Sequence, residues 1–199
     1  MEHKAMMKLK YKTFRTGDKI FIGNFEIIPW HVDHSTPGAY TFLIESPEGL
    51  IVYTGDFRLH GSFSQFLTSK KDQFWHRIEG REIKALICEA TNLSGPVNPL
   101  SESDVSYLIE KCVSKCDGLI IVNTSTCDID RIKTICSVSK KLGRIPVATK
   151  RFTSILKALE SDEHLSTPRV GVDILRYEDV YEDVKYNQAV SYTHLTLPT

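Results

Sequence analysis

The sequence predicts an α/β chain in two parts. Between Lys19 and Thr54, short apolar runs are joined by tight-turn signals, the mark of antiparallel strands. Beyond residue 100, amphipathic helical stretches alternate with short apolar runs, which implies a parallel sheet with right-handed crossovers. Between these parts, Leu93 to Leu100 carries Gly95, Pro96 and Pro99 and reads as the domain boundary.

The first part begins with a basic, mixed stretch over residues 1–16 and a turn at Gly17-Asp18. Lys19 to Ile22 and Phe25 to Trp30 read as strands joined at Gly23-Asn24. Ala39 to Glu45 and Leu50 to Thr54 form a second strand pair about the turn Ser46-Pro47-Glu48-Gly49. Residues 62–80 carry Phe63, Phe66, Leu67, Phe74 and Ile78 near helical spacing, and Gly80 is a reasonable stop. That helix should cover the sheet with its aromatic residues. Glu82 to Cys88 is a short β-branched, apolar run and is predicted to be a buried strand.

In the second part, Ser101 or Ser103 is placed to cap a helix with Val105, Leu108, Ile109 and Cys112 on one face. Gly118 to Val122 (GLIIV) reads as a strand. Asp128 caps a helix with Ile129, Ile132, Ile135, Cys136 and Leu142 on one face, stopped at Gly143. Ile145 to Thr149 reads as a strand, Arg151 to Glu160 as a helix, and Val170 to Leu175 as a further strand.

Lys plus Arg equals Asp plus Glu at 25 each, so net charge gives no argument for a nucleic-acid partner. A local patch would have to supply one. Lys140, Lys141, Arg144, Lys150 and Arg151 are locally basic, and a solvated face is the expectation there rather than a groove. No apolar run is long enough to span a membrane. The five cysteines, Cys88, Cys112, Cys116, Cys127 and Cys136, form no paired framework and suggest reduced thiols in a cytoplasmic protein. Cys112 and Cys116 lie four apart on a predicted helix; no second half of a metal clip accompanies them, so they read as packing thiols.

The chemistry concentrates in His31 to Gly61. His34 ends one apolar run and Asp56 ends another. The antiparallel strands between them bring such ends to one rim of a sheet, and an imidazole with a carboxylate is the beginning of a zinc site. Taken singly, His34 would be a hydrogen-bonded loop histidine and Asp56 part of an ordinary Gly-Asp turn. Their spacing and their neighbours decide the reading.

His34-Ser35-Thr36-Pro37-Gly38-Ala39, followed by Tyr53-Thr54-Gly55-Asp56-Phe57-Arg58, resembles the third and fourth metal motifs of the metallo-β-lactamase superfamily, in its β-CASP branch and nearest to ribonuclease J-like proteins. Glu89-Ala90-Thr91-Asn92 resembles the first β-CASP motif, with Glu89 as its acidic residue. His31-Val32-Asp33-His34 resembles the second half of a His-x-His-x-Asp-His motif, but Pro29 stands where another His belongs. The third-motif reading fits better.

The resemblance implies a partial metallo-β-lactamase αββα sandwich over residues 1–95 and part of a Rossmann-like β-CASP domain over 96–189. It implies metal binding by His34 and Asp56, with Asp56 bridging two zinc ions, and catalytic roles for Asp56 and Glu89. Asp33, Ser35, Arg58 and His60 become candidates to orient a ligand or meet a phosphate, whereas His31 reads as structural. Asn123-Thr124-Ser125 and Asp130-Arg131 fall where such proteins carry a strand–loop–helix, and those loops are suited to an RNA backbone. The implied reaction is hydrolysis of single-stranded RNA by a hydroxide held on two zinc ions. The full-length protein would be a candidate homo-oligomer.

The family's principal His-x-His-x-Asp-His motif and its late histidine motifs are absent, so the sequence reads as an internal fragment with an incomplete zinc site and negligible activity alone. Residues 190–199 (VSYTHLTLPT) match no family element and resemble a translated adaptor, expected to pack poorly. Two alternatives remain in the enzyme class, a DNA-directed β-CASP nuclease and a hydrolase of small esters; the helix–strand insert counts against the latter. A third, outside it, is a non-catalytic RNA-binding or scaffolding relative.

Overall fold

The computed structural model describes residues 11–64, 73–91, 93, 99–183 and 191–192. It is a mixed α/β protein that separates into two compact units. Among the described residues, the first unit takes 11–32, 39–57 and 73–91, and the second takes 33–38, 58–64, 93, 99–183 and 191–192. The second unit thus borrows two loops from within the first part of the sequence.

The first unit is built on a five-stranded sheet of order β1 (Ile20–Ile22), β2 (Phe25–His31), β3 (Tyr40–Ser46), β4 (Gly49–Tyr53) and β5 (Ile83–Ile87). The first four strands run antiparallel and β5 joins β4 in parallel. Ser46 pairs with Gly49, so Pro47-Glu48 is a two-residue hairpin loop. Pro29 lies within β2, where a missing N–H would normally break a ladder. It is tolerated because β1 pairs only with residues 25–27 and stops short of it. The Pro29 carbonyl is still satisfied, accepting from the Gly17 N–H at 2.9 Å.

One face of this sheet buries Ile28, Trp30, Leu43, Leu50 and Val52. The helix α1 (Gln73–Ile78) closes it with Phe74, whose ring centroid lies 5.9 Å from that of Trp30. The Arg77 guanidinium stands over the Trp30 ring at 5.5 Å. The opposite face carries an aromatic row in which Phe14 meets Tyr40 edge-on and Phe42 stacks on Tyr53. The predicted helix over 62–80 is therefore shorter. Residues 61–64 turn, and Phe66 and Leu67 lie outside the described residues.

β5 forms where predicted, but it is not buried. All five of its residues are exposed, Leu86 to 64% and Ile87 to 52%. Its sequence has the composition of a covered strand, and among the described residues nothing covers it.

The second unit is organised by α3 (Ile129–Lys141), β6 (Pro146–Ala148) and α4 (Lys150–Leu159), introduced in sequence by α2 (Glu102–Val113). Ile129, Ile132 and Cys136 of α3 pack with Ala148 of β6, Phe152 and Leu156 of α4, and Ile174. β6 is central in a small parallel sheet, flanked by β7 (Leu175–Arg176) and β8 (Ser191–Tyr192). The path β6–α4–β7 is the crossover expected of a parallel pair. A further helix, α5 (Tyr177–Asp183), follows β7 directly. Of the suspected tail, Ser191 and Tyr192 pair with β6, and residues 193–199 lie outside the described residues.

The caps follow the sequence. Ser101 starts α2 in a reciprocal capping box with Asp104, and the Asp128 carboxylate accepts from the Arg131 N–H at the start of α3. Three expectations fail. Gly118 to Val122 forms no strand; Leu119 and Ile121 are 54% and 64% exposed. α2 buries none of its residues fully, and Leu108 on its apolar face is 43% exposed. The strand over 170–175 shrinks to one bridge, Val170 to Ile174, followed by β7. An apolar run records a preference for burial, and that preference is met only where another element arrives to cover it.

Candidate functional site

Two sets of candidate residues are placed by the fold, one in each unit. In the first unit they sit beyond the C-terminal ends of β4 and β5. The chain leaves β4 through Thr54-Gly55-Asp56-Phe57, and Thr54 keeps it in register. Its N–H donates to the Ile87 carbonyl at 2.9 Å, and its own carbonyl accepts from the Thr41 hydroxyl at 2.8 Å. Gly55 turns the chain with φ +58°, and a Cβ there would lie 2.6 Å from the Tyr40 carbonyl oxygen. Only glycine meets both demands.

That turn delivers Asp56 to the surface. Its carboxylate is exposed and makes no hydrogen bond or ion pair among the described residues. Glu89, beyond β5, reaches across the strand ends. Its Oε1 accepts from the Phe57 N–H at 3.0 Å, and its own N–H donates to the Thr54 hydroxyl oxygen at 3.4 Å. Asp56 and Glu89, 33 positions apart, are thus brought to one rim, and Glu89 holds the loop that presents Asp56.

In the second unit, loops 33–38 and 58–64 surround Arg58. The Arg58 N–H donates to the Asp33 carbonyl at 2.7 Å, and Nε donates to Asp33 Oδ1 at 2.9 Å. The guanidinium also donates to Asp130 Oδ2 at 2.5 Å and faces Asp128 Oδ1 at 3.6 Å. Asp33 and Asp130 are almost wholly buried, at 1% and 4% exposure. Burial alone would lower the Arg58 pKa, but the hydrogen bond to Asp33 and the three carboxylates together raise it. Asp130 also accepts from the Ser62 N–H at 3.2 Å, which ties loop 58–64 to α3.

Arg58 is therefore an internal clasp, and Asp33 is its partner. His34 and Ser35 follow on the same loop. His34 Nδ1 accepts from the Thr36 N–H at 3.3 Å, which leaves Nε2 as the nitrogen free of that bond. The Ser35 carbonyl accepts from the Ile129 N–H at 3.3 Å. His60 contributes its backbone carbonyl, which accepts from the Glu102 N–H. His31, on β2, packs edge-on against Tyr40 at 5.6 Å in the first unit.

Arg131 is also engaged internally. Its guanidinium pairs with Glu102 at 2.9 Å, and the Thr134 hydroxyl donates to the same carboxylate at 2.8 Å. Asp130 and Arg131 are thus both engaged by other side chains within this unit. Sequence reasoning missed Asp128 and Asp130 as partners of Arg58. Seventy-two positions separate Arg58 from Asp130, and no local pattern joins them.

His34 and Asp56 have the donor chemistry zinc takes, a neutral imidazole and a carboxylate. They are two donors where a catalytic zinc uses three. Among the described residues, no group of three or more His, Cys, Asp or Glu side chains is placed to hold a metal ion. All five cysteines are free thiols. No described helix is long and apolar enough to cross a membrane.

The fold has a counterpart among solved structures. It matches a protein of unknown function from Enterococcus faecalis with a TM-score of 0.66 at 18% identity, covering 95% of this chain and 45% of that one. No family model matches the sequence. Sequence relatives give the particular likeness. The chain is 29% identical over 143 residues to ribonuclease J of Sinorhizobium meliloti, covering 71% of this chain and 25% of that protein. It is 27% identical over 188 residues to ribonuclease J of Mycoplasma genitalium, covering 92% of this chain and 31% of that protein. Ribonuclease J of Thermus thermophilus is 27% identical over 134 residues. The chain is similar to ribonuclease J over most of its length and spans about a quarter to a third of the length of these relatives.

Proposed function

We propose that this chain is part of a ribonuclease J-like, zinc-dependent phosphodiesterase of the metallo-β-lactamase and β-CASP type, cytoplasmic and acting on single-stranded RNA. His34 and Asp56 are the metal donors within this stretch. Glu89 positions Asp56 by accepting the Phe57 N–H. Zinc held by such donors would supply a Lewis acid and a bound hydroxide. The reading is supported by similarity to ribonucleases J over most of the chain. The observation that carries it beyond similarity is the Asp56–Glu89 rim, where an unpaired carboxylate is presented on a loop fixed from both sides.

With two donors, the 199 residues alone should neither bind zinc tightly nor turn over RNA. The test pairs a zinc titration with hydrolysis of an end-labelled single-stranded RNA. Stoichiometric tight zinc with turnover would refute the donor count. A chimera tests the residues themselves, with this chain replacing the matched segment of Sinorhizobium meliloti ribonuclease J. It should cleave RNA, and Asp56→Asn within it should lower the rate by about a hundredfold or more. An active chimera indifferent to Asp56→Asn would end the assignment.

A further inference from the structure

The second unit contains a cleft of about 710 Å³ that shares no residue with the strand-end loops or the Arg58 clasp. One wall is the face of α3 that carries Lys133, Ser137 and Lys140, spaced as i, i+4 and i+7 on one side of a helix. Ile145 and Pro146, entering β6, and the segment 166–175 form the rest.

The charge of this lining is one-sided. Lys133, Lys140, Arg144 and Arg169 face a single carboxylate, Asp173. Arg169 is committed to that carboxylate, which also accepts its N–H at 2.8 Å. Arg144 donates to the carbonyls of Gly118 and Cys116, which leave its charge unneutralised. Lys133 lies over the Phe63 ring at 5.4 Å, and the Lys140 ammonium makes no hydrogen bond or ion pair among the described residues. The C-terminal end of α3 adds a partial negative charge, about half an elementary charge, and the cations there outweigh it. Burial pushes the Cys136 thiol up to about 12, so it remains neutral in the lining.

The remaining lining is part apolar and part hydroxylated. Pro168, Val172 and Leu175 give it an apolar wall. The hydroxyls of Ser137, Ser166 and Thr167 make no internal hydrogen bond among the described residues. The volume lies within the roughly 300–1,000 Å³ of small-molecule sites. A bare inorganic anion would leave most of it empty, whereas a nucleotide has an anionic phosphate, a hydroxylated sugar and a flat, largely apolar base.

We propose that this cleft binds a phosphorylated nucleotide, free or as one unit of a single-stranded RNA, with the phosphate at Lys133 and Lys140 and the base against the Pro168–Val172–Leu175 wall. The locally basic run around residue 140 is then a groove, where the sequence alone favoured a solvated face.

The experiment measures anisotropy of a labelled, 5′-phosphorylated decauridylate with the full chain, with EDTA present to prevent cleavage, and competes it with AMP and with inorganic phosphate. Either ligand source supports the proposal: saturable AMP binding in the wild type, or decauridylate binding that AMP displaces better than phosphate. The Lys133→Ala/Lys140→Ala double variant should weaken the bound ligand by about tenfold and, for decauridylate, lower the salt slope by roughly 1.4. Lys140→Ala alone should move the same way; its side chain is exposed and unpaired, so its removal leaves the fold intact. Lys157→Ala on α4 serves as control. Unchanged affinity and slope in the double variant would overturn the proposal, as would phosphate competing as well as AMP. Such a failure leaves the nuclease reading untouched, because no hydrolysis is measured and no residue is shared.

Discussion

Arg58 and Asp33 are joined twice, once through the backbone at 2.7 Å and once through their side chains at 2.9 Å. The double link fixes the loop that carries His34 against the segment that follows Asp56 in sequence. It does so inside the protein, where Asp33 is 1% exposed and its Oδ2 has no hydrogen-bond partner among the described residues.

Arg58→Ala should therefore cost far more than a surface ion pair. It leaves Asp33 and Asp130 buried without their cation, and breaking a buried pair from one side costs about 3–5 kcal/mol. Arg58→Lys should recover part of this, because an ammonium replaces the charge but not the forked geometry. Urea unfolding of the two variants checks the order. Equal stability of Arg58→Ala and the wild type would show that the clasp contributes nothing.

Gly61 lies against the clasp. A Cβ there would sit 2.3 Å from Arg58 Nε and 2.4–2.5 Å from both Asp33 carboxylate oxygens. Gly61→Ala should destabilise by about 1–3 kcal/mol through overpacking. Its loss should shrink in an Arg58→Ala background, where one of the crowding groups is gone. A double-mutant cycle measures that coupling.

The acid side of the stability profile should report Glu102. Burial raises its pKa, but the hydrogen bonds from Arg131 and Thr134 and the charges of Arg131 and Arg58 together bring it below the ordinary glutamate value. A carboxyl whose folded pKa is depressed stabilises the protein fully above its unfolded pKa and loses that contribution as pH falls through the folded value. Glu102→Gln should lower the melting temperature near neutral pH, by an amount equivalent to roughly 1–2 kcal/mol. It should also flatten the acid limb. Parallel acid limbs for variant and wild type would refute the assignment.

Thiol reactivity should divide the cysteines. Cys88, Cys112 and Cys116 are exposed and should react with an aromatic disulfide reagent in the folded protein. Cys136 is buried, with its thiol pushed up to about 12, and should react only after unfolding. Mass mapping after a short exposure separates the classes.

The elements that the sequence made legible are those specified locally. Gly23-Asn24 and Pro47-Glu48 announce their turns, and Asp128 and Gly143 bracket α3. Asp56 and Glu89 were also legible as strand-end acids, and the fold brings them to one rim. What stayed hidden is non-local. The Arg58–Asp130 pair spans 72 positions, and neither residue is unusual in its own neighbourhood. The burial of β5 and the strand over residues 118–122 fail for the same reason: the apolar composition is visible, but its covering depends on elements elsewhere.

β5 has a consequence for handling this protein. Among the described residues it ends its sheet with Ile83, Leu86 and Ile87 all exposed, so its backbone border is placed to accept a further strand. Such a border sets its own solubility ceiling, because concentrating the chain brings copies together along it. Light scattering against concentration will locate that ceiling, and Leu86→Lys is the substitution that should raise it.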